Sequence, residues 1–256
     1  MILRVVNHKF HYEMENLCRV FYPYETIRVI RDDGGENDDI TVVTELYGEY
    51  TVRVSVNIHG TTGTREKSVA DYDDCEREMA ILLFSLLSEI SGYTPKWGIL
   101  TGVRPSKLMN TLINEYGDKG AKKYFTDKLL VCEKKTELAY EVAKAEERIM
   151  SLSDEKSFSL YVSIPFCPTR CNYCSFVSHS IAQAKKLLPE YVENLCKEIR
   201  QTAEIANSLG LRLESIYWGG GTPTTLSAEM LEKICAEINS DFDLSHLREY
   251  TIEAAE

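Results

Sequence analysis

The sequence predicts an α/β fold in which parallel strands alternate with helices, preceded by an α+β N-terminal domain. Three observations predict it. Beyond residue 157, short β-branched runs alternate with helical stretches, the rhythm of βα units joined by crossovers. Before residue 60, apolar residues recur at period two, with Val52, Val54, Val56 and Ile58 on one face of a strand. Between these regions lie stretches rich in Ala, Glu and Lys, which favour helix.

In order, MILRVV is a short strand, and TIRVIR, DITVVTELYG and YTVRVSVNI are further strands. The RDDGGENDD stretch reads as a turn or mobile loop. Residues 71–92 read as a helix with an acidic first turn, a thick apolar face and Gly92 as its stop. From GYTPKWGILTGVRPSKLMNTLINEYG onward the chain turns helical, with Pro105 suited to a first turn and Gly117 ending that segment. Helices follow around 121–130 and over 133–150. The division is therefore an α+β domain at 1–150 with a helical second half, a polar linker at 151–157 (SLSDEKS), and a βα region at 158–256. In that region SLYVSI, SIYW and EYTIEA are strands, and 186–208 and 227–239 are helices. No internal repeat or low-complexity tract interrupts the pattern.

The 256 residues are 44% hydrophobic, enough to fill the cores of two domains. Forty acidic against 29 basic residues give a net charge of −11, a field that repels a phosphate backbone, so nucleic acid is not the expected partner. No apolar run reaches the ~20 residues of a membrane-spanning helix. The N-terminus MILRVVNHKF has no secretory pattern, so the expected compartment is the cytoplasm. There, eight cysteines point to buried thiols, metal ligands or catalysis rather than disulfides. Cys18, Cys75, Cys132, Cys196 and Cys235 stand singly and read as small buried hydrophobes.

The other three, Cys167, Cys171 and Cys174, lie within eight residues at C-x3-C-x2-C spacing, on a loop just after a strand. Thiolates are the usual protein ligands of iron–sulfur clusters. A zinc ribbon prefers two cysteine pairs or cysteine with histidine, and His179 is the one nearby candidate for a fourth ligand. A zinc-stabilised interaction module is the alternative from a different class. Three ligands on a four-iron cluster leave one iron open, where the amino and carboxylate groups of S-adenosylmethionine (SAM) can bind. Reduction can then cleave the sulfonium to a 5′-deoxyadenosyl radical, with the protein supplying placement and exclusion of water.

A second motif, Trp218-Gly219-Gly220-Gly221-Thr222-Pro223-Thr224, follows the second strand of the region. Glycines let backbone groups approach a polar ligand without a Cβ in the way. Both loops follow strands that run the same way, so both open on the C-terminal rim, where barrel active sites lie. Glu253, near the end of the third strand, points to that rim if the register holds.

Tyr161-x-x-Ile-Pro-Phe-Cys-x3-Cys-x2-Cys followed by WGGGTPT resembles the radical SAM family of oxygen-independent coproporphyrinogen III oxidases. With TGVRPSK and an extra N-terminal domain, the chain looks like the HemZ-type coproporphyrinogen dehydrogenase branch. The resemblance implies a partial radical SAM (β/α) barrel, its first three βα units lying in 158–256. The family barrel has more units than that, so the chain reads as truncated, with an open sheet edge and poor solubility alone expected. The resemblance implies a [4Fe–4S] cluster on Cys167, Cys171 and Cys174 and SAM as cofactor. Tyr161 would be a catalytic and cofactor-binding residue beside both; the backbone of Tyr173 would contact the adenine. Gly219, Gly220 and Gly221, with Thr222 nearby, would bind the SAM amino-acid portion, and Glu253 would hold a SAM polar group. The implied reaction removes a hydrogen from a substrate propionate; loss of CO2 and an electron leaves a vinyl group. Two propionates of coproporphyrinogen III react, giving protoporphyrinogen IX. The partners are a tetrapyrrole substrate and an electron donor, with neither nucleic acid nor membrane.

Two positions depart from the better-known oxidase pattern: Ser163 replaces a histidine and Phe176 an additional cysteine. A related branch, the heme chaperones, shares the SAM motifs and is the alternative function within the family. Arg104 in GVRPS suits either an anion site or a cap, and Lys185-Lys186 a solvated helix face. The N-terminal domain offers no catalytic constellation.

Overall fold

The computed structural model describes residues 1–31, 38–102, 104–176 and 178–254. The acidic, glycine-containing turn expected between the second and third strands lies mostly at 32–37, outside the described residues. Backbone contacts divide the chain into two compact units, Met1–Ile149 and residues 150 onward.

The first unit contains strands β1 (Ile2–Val6), β2 (Arg28–Ile30), β3 (Ile40–Tyr47), β4 (Thr51–Ile58) and β5 (Thr61–Ser68), in sheet order β2-β1-β3-β4-β5. β1 is parallel to both neighbours, whereas β3, β4 and β5 form an antiparallel meander. The period-two pattern of β4 buries Val52, Val54, Val56 and Ile58. These side chains share a core with Met14 and Leu17 of α1 (His11–Phe21) and with Met79, Leu83 and Leu87 of α2 (Cys75–Ser91). Gly92 ends α2 at φ +66°, the left-handed conformation that glycine adopts most cheaply. α3 (Pro105–Asp127) and α4 (Glu133–Met150) build a separate core on Met109, Phe125, Ala139 and Ala143. Gly117 breaks α3 at φ +71° and ψ 172°, yet the chain resumes its helix at once.

Two elements of this unit are not evident in the sequence. β5, TTGTREKS, is almost wholly exposed, so it has no apolar alternation to betray it; pairing with β4 holds it as an edge strand. α1 is short and buries Met14, Leu17 and Cys18 on a single narrow face.

The second unit contains β6 (Ser157–Ile164), the two-residue strands β7 (Phe166–Cys167) and β8 (His179–Ser180), α5 (Ile181–Ala184), α6 (Leu188–Ser208), β9 (Arg212–Gly220), α7 (Ala228–Asp241) and β10 (Glu249–Ile252). β6, β9 and β10 are all parallel, in order β10-β9-β6, with α6 and α7 as the crossovers. The expected three βα units are thus three strands with two helices, and β10 has no following helix among the described residues. The sheet is open rather than a closed barrel.

One face of this sheet is apolar. Val162, Ile164, Ile216 and Trp218 pack on Val192, Cys196 and Ile199 of α6 and on Ile234 and Ile238 of α7. Ser227 caps α7 by accepting a hydrogen bond from Met230 N–H. At the N-terminal strand ends the buried Glu214 accepts from Ser153 and Ser157 hydroxyls at 2.7 Å each and from the guanidinium of Arg248. The segment read as a linker is therefore fastened to the sheet by two of its serines.

All eight cysteines are free thiols. Cys18, Cys75 and Cys196 are buried as expected of isolated cysteines, whereas Cys132 and Cys235 are only partly so. Burial, with Glu15 second, pushes the Cys18 thiol up to about 12. No helix of the described residues is long and apolar enough to cross a membrane.

Candidate active site at the ends of the parallel strands

Alternation along a strand assigns the opposite face of this sheet to Ser159, Tyr161 and Ser163 of β6 and Ser215, Tyr217 and Gly219 of β9. Tyr161, Tyr217 and Thr251 occupy one rung, and Ser163 and Gly219 the next rung toward the strand ends. The two tyrosine rings stack at 5.9 Å with an interplanar angle of 11°. Tyr217 donates its hydroxyl hydrogen to Glu253 Oε1 at 2.5 Å, and Glu253 N–H bonds to Trp218 O at 3.0 Å. That hydrogen bond is the leading reason the Tyr217 phenol is raised above its ordinary value; burial and the Glu253 charge add to it.

The three glycines do different things. A Cβ on Gly219 would lie 2.8 Å from Tyr161 Oη, 3.0 Å from Tyr217 Cε1 and 3.3 Å from Glu253 Oε2. Gly219 thus leaves a small space ringed by two phenols and a carboxylate. Gly220 adopts φ +104°, a backbone conformation rare for other residues. A Cβ on Gly221 would fall 2.6 Å from Phe166 O and 2.8 Å from Phe166 N. Gly221, expected with its two neighbours to open the backbone to a ligand, also lets the cysteine loop approach. Gly221 N–H donates to Ile164 O at 2.8 Å and Thr222 N–H to Phe166 O at 2.7 Å.

These bonds tie the glycine turn to the start of the cysteine loop. Thr222 Oγ1 lies 3.7 Å from Cys167 Sγ. The loop leaves β7 and returns at β8, where His179 pairs in register with Phe166. Between them, a turn bonds Cys174 N–H to Cys171 O at 3.1 Å. Cys171 is exposed, and Cys167 and Cys174 are half-exposed. Among the described residues, no three Cys, His, Asp or Glu side chains converge on one point in the manner of a metal site. The fold brings the thiols onto one loop, and that loop has little regular structure to hold them together.

Tyr161, Gly219 and Glu253 are brought into contact by the fold, and Thr222 reaches Cys167. Tyr173 stands 91% exposed on the loop, its hydroxyl beside Cys171. Arg104 belongs to the first unit, where it precedes α3 without a capping hydrogen bond from its side chain. Tyr217 escaped the sequence reading, although it sits two residues before Gly219 and so must share its face.

Residues 161–254 match the family model described as the radical SAM superfamily. This segment is a radical SAM domain. Its borders take in the cysteine loop, the glycine turn, Tyr161 and Glu253. Over 96% of its length the chain is 28% identical to the oxygen-independent coproporphyrinogen-III oxidase-like protein HemZ of Bacillus subtilis, covering 51% of that protein. The heme chaperone HemW of Lactococcus lactis is 39% identical over 39% of the chain and 24% of its own length. The solved radical SAM enzyme coproporphyrinogen III oxidase (HemN) of Escherichia coli is 28% identical, with 43% of this chain and 25% of that one covered at a TM-score of 0.34. The chain thus spans about half the length of the relative it matches from end to end. Over residues 161–254 the chain is similar to radical SAM proteins, and over nearly its whole length to a coproporphyrinogen-III oxidase-like protein.

The residues present fit the cofactors that the radical SAM superfamily implies. Three free thiols, none engaged in a disulfide, share one loop. Beside the glycine turn tied to that loop lies a polar space that a Cβ on Gly219 would fill.

Proposed function

We propose that Cys167, Cys171 and Cys174 hold a [4Fe–4S] cluster, that SAM binds across the Gly219–Gly221 turn, and that the chain belongs to an oxidoreductase of heme biosynthesis. Its reaction is the oxygen-independent oxidative decarboxylation of coproporphyrinogen III propionates to vinyls, giving protoporphyrinogen IX. When bound, the cluster and SAM together supply a hydrogen-abstracting 5′-deoxyadenosyl radical. The chain's own residues position and shield.

The observation that carries this reading is the pair of backbone bonds from Gly221 and Thr222 to Ile164 and Phe166, which seat the cysteine loop beside the glycine turn. Glu253 offers a carboxylate to an ammonium group, and Tyr217 orients it from one side. Gly219 keeps the adjoining space open, while Tyr161 covers it with an exposed ring. Thr222, within reach of Cys167, orders the first thiol of the loop. Tyr173 presents its backbone on the same loop. The substrate is a tetrapyrrole, the electron donor is a separate low-potential reductant, and eight free thiols suit the cytoplasm.

The test is anaerobic incubation of the protein with reductant, SAM and coproporphyrinogen III. Protoporphyrinogen IX and 5′-deoxyadenosine should form together. Similarity to a heme chaperone supports a second reading, in which heme binds stoichiometrically and no propionate is lost. An intact cluster with heme bound and neither product formed would favour it over the oxidase.

A further inference from the structure

The first unit contains a cleft of about 620 Å³ that the proposed reaction does not use. It lies among Tyr12 and Asn16 of α1, the segment carrying Tyr93, Lys96 and Trp97, and Lys135 of α4. Its size is that of a small-molecule site, commonly ~300–1,000 Å³. No Asp or Glu lines it, although acidic residues number 40 in the chain and outweigh basic ones by 11. Neither Lys96 nor Lys135 has a carboxylate partner among the described residues, whereas Lys67, Lys122, Lys144 and Lys233 all do. Lys135 Nζ instead stands 5.3 Å from the centre of the Trp97 ring.

The walls are held in place. Lys96 O accepts from Cys132 N–H at 3.0 Å, which couples the turn at Lys96 to the start of the helix bearing Lys135. Ile99 N–H donates to Leu129 O at 2.9 Å. Between them Gly98, at φ +59°, passes so close to the α3–α4 turn that a Cβ would lie 2.0 Å from Leu129 O. Tyr93 is braced edge-on against Phe21 at 6.3 Å. Two cations without a carboxylate partner among the described residues and three aromatic rings therefore face one preformed concavity on a strongly acidic protein.

We infer that this cleft is a second ligand site, specific for an anionic aromatic molecule: a planar conjugated ring bearing carboxylates. The ring takes the aromatic walls and the carboxylates take Lys96 and Lys135, with Asn16 as an additional hydrogen-bonding group. The inference stands on the first unit alone and does not require the cluster.

The probe is coproporphyrin III, which is planar and carries four propionates, titrated into the full chain and followed by its fluorescence anisotropy. Saturable binding is expected, weakened about tenfold or more in Lys96→Gln/Lys135→Gln, the loss of roughly one charge-assisted contact. The Lys96→Arg/Lys135→Arg variant should keep most of the affinity, and a porphyrin with four cationic substituents should bind far less well. Trp97→Leu should weaken binding without altering the charge preference. Cys167→Ala should bind coproporphyrin as the unaltered chain does, so loss of the cluster and loss of this site are read separately. Unchanged affinity in the double glutamine variant, with thermal unfolding intact, would place the porphyrin elsewhere and overturn the inference, as would preference for the cationic porphyrin or no binding at all.

Discussion

Gly219 and Gly221 are two residues apart, yet they are expected to fail in different ways. Gly219→Ala places a methyl against the ends of Tyr161 and Glu253, which can swing aside, so the fold should survive. Thermal unfolding should hardly move, while SAM affinity should fall about tenfold or more because the space beside Glu253 is filled. Gly221→Ala puts the methyl against the Phe166 backbone, which cannot give without moving the cysteine loop. It should cost ~1–3 kcal/mol and lower iron incorporation; equal iron content would contradict the role assigned to that glycine. Glu253 also sets a pH dependence. Because its hydrogen bond raises the Tyr217 pKa, the stability this gives is present below the ordinary tyrosine value of ~10 and lost as pH rises through the raised folded value. Tyr217 is one of several phenols raised above the ordinary value, so tyrosinate absorbance in Glu253→Gln should show one late-ionising phenol fewer than in the unaltered chain; an unchanged titration would mean that the carboxylate does not hold the Tyr217 proton.

At the scale of elements, β6 and β9 carry the site at their C-terminal ends and a stabilising network at their N-terminal ends. Glu214 is 8% exposed and accepts hydrogen bonds from Ser153, Ser157, Arg212 and Arg248. Removing it takes the buried carboxylate from two guanidinium groups, although Arg212 keeps Asp154 and Arg248 keeps Ser153, so Glu214→Ala should destabilise by ~1–3 kcal/mol in denaturant unfolding, while Ser215→Ala on the open face should cost under ~1 kcal/mol. A Glu214→Ala cost no larger than that of Ser215→Ala would remove the network from the account. The three parallel strands and two long helices of this unit were legible in the sequence because α6 and α7 are amphipathic and β9 lies between glycine-bounded turns, whereas β7, β8 and α5 are too short to leave a pattern. β5 was not, since strand pairing rather than burial makes it a strand, and no residue pattern records a partner's unpaired edge.

For the whole molecule, the motifs located the site but not its internal division of labour. The cysteine spacing, the glycine run and Glu253 were readable because each needs a particular residue type at a particular place. Tyr217 was not singled out, because a tyrosine in a strand is ordinary until register stacks it on Tyr161 and aims it at Glu253. The role of Gly221 was hidden for the same reason: its neighbour is Phe166, 55 positions earlier in the chain and known only from the fold. The proposed chemistry requires three thiols to share one cluster with an iron left open to SAM. The most direct measurement is electron paramagnetic resonance of the anaerobically reconstituted, reduced protein with and without SAM. A [4Fe–4S] signal whose g-values shift on adding SAM, and which is lost in Cys171→Ala, is the predicted result. A colourless protein that retains zinc, or a cluster signal indifferent to SAM, would contradict it.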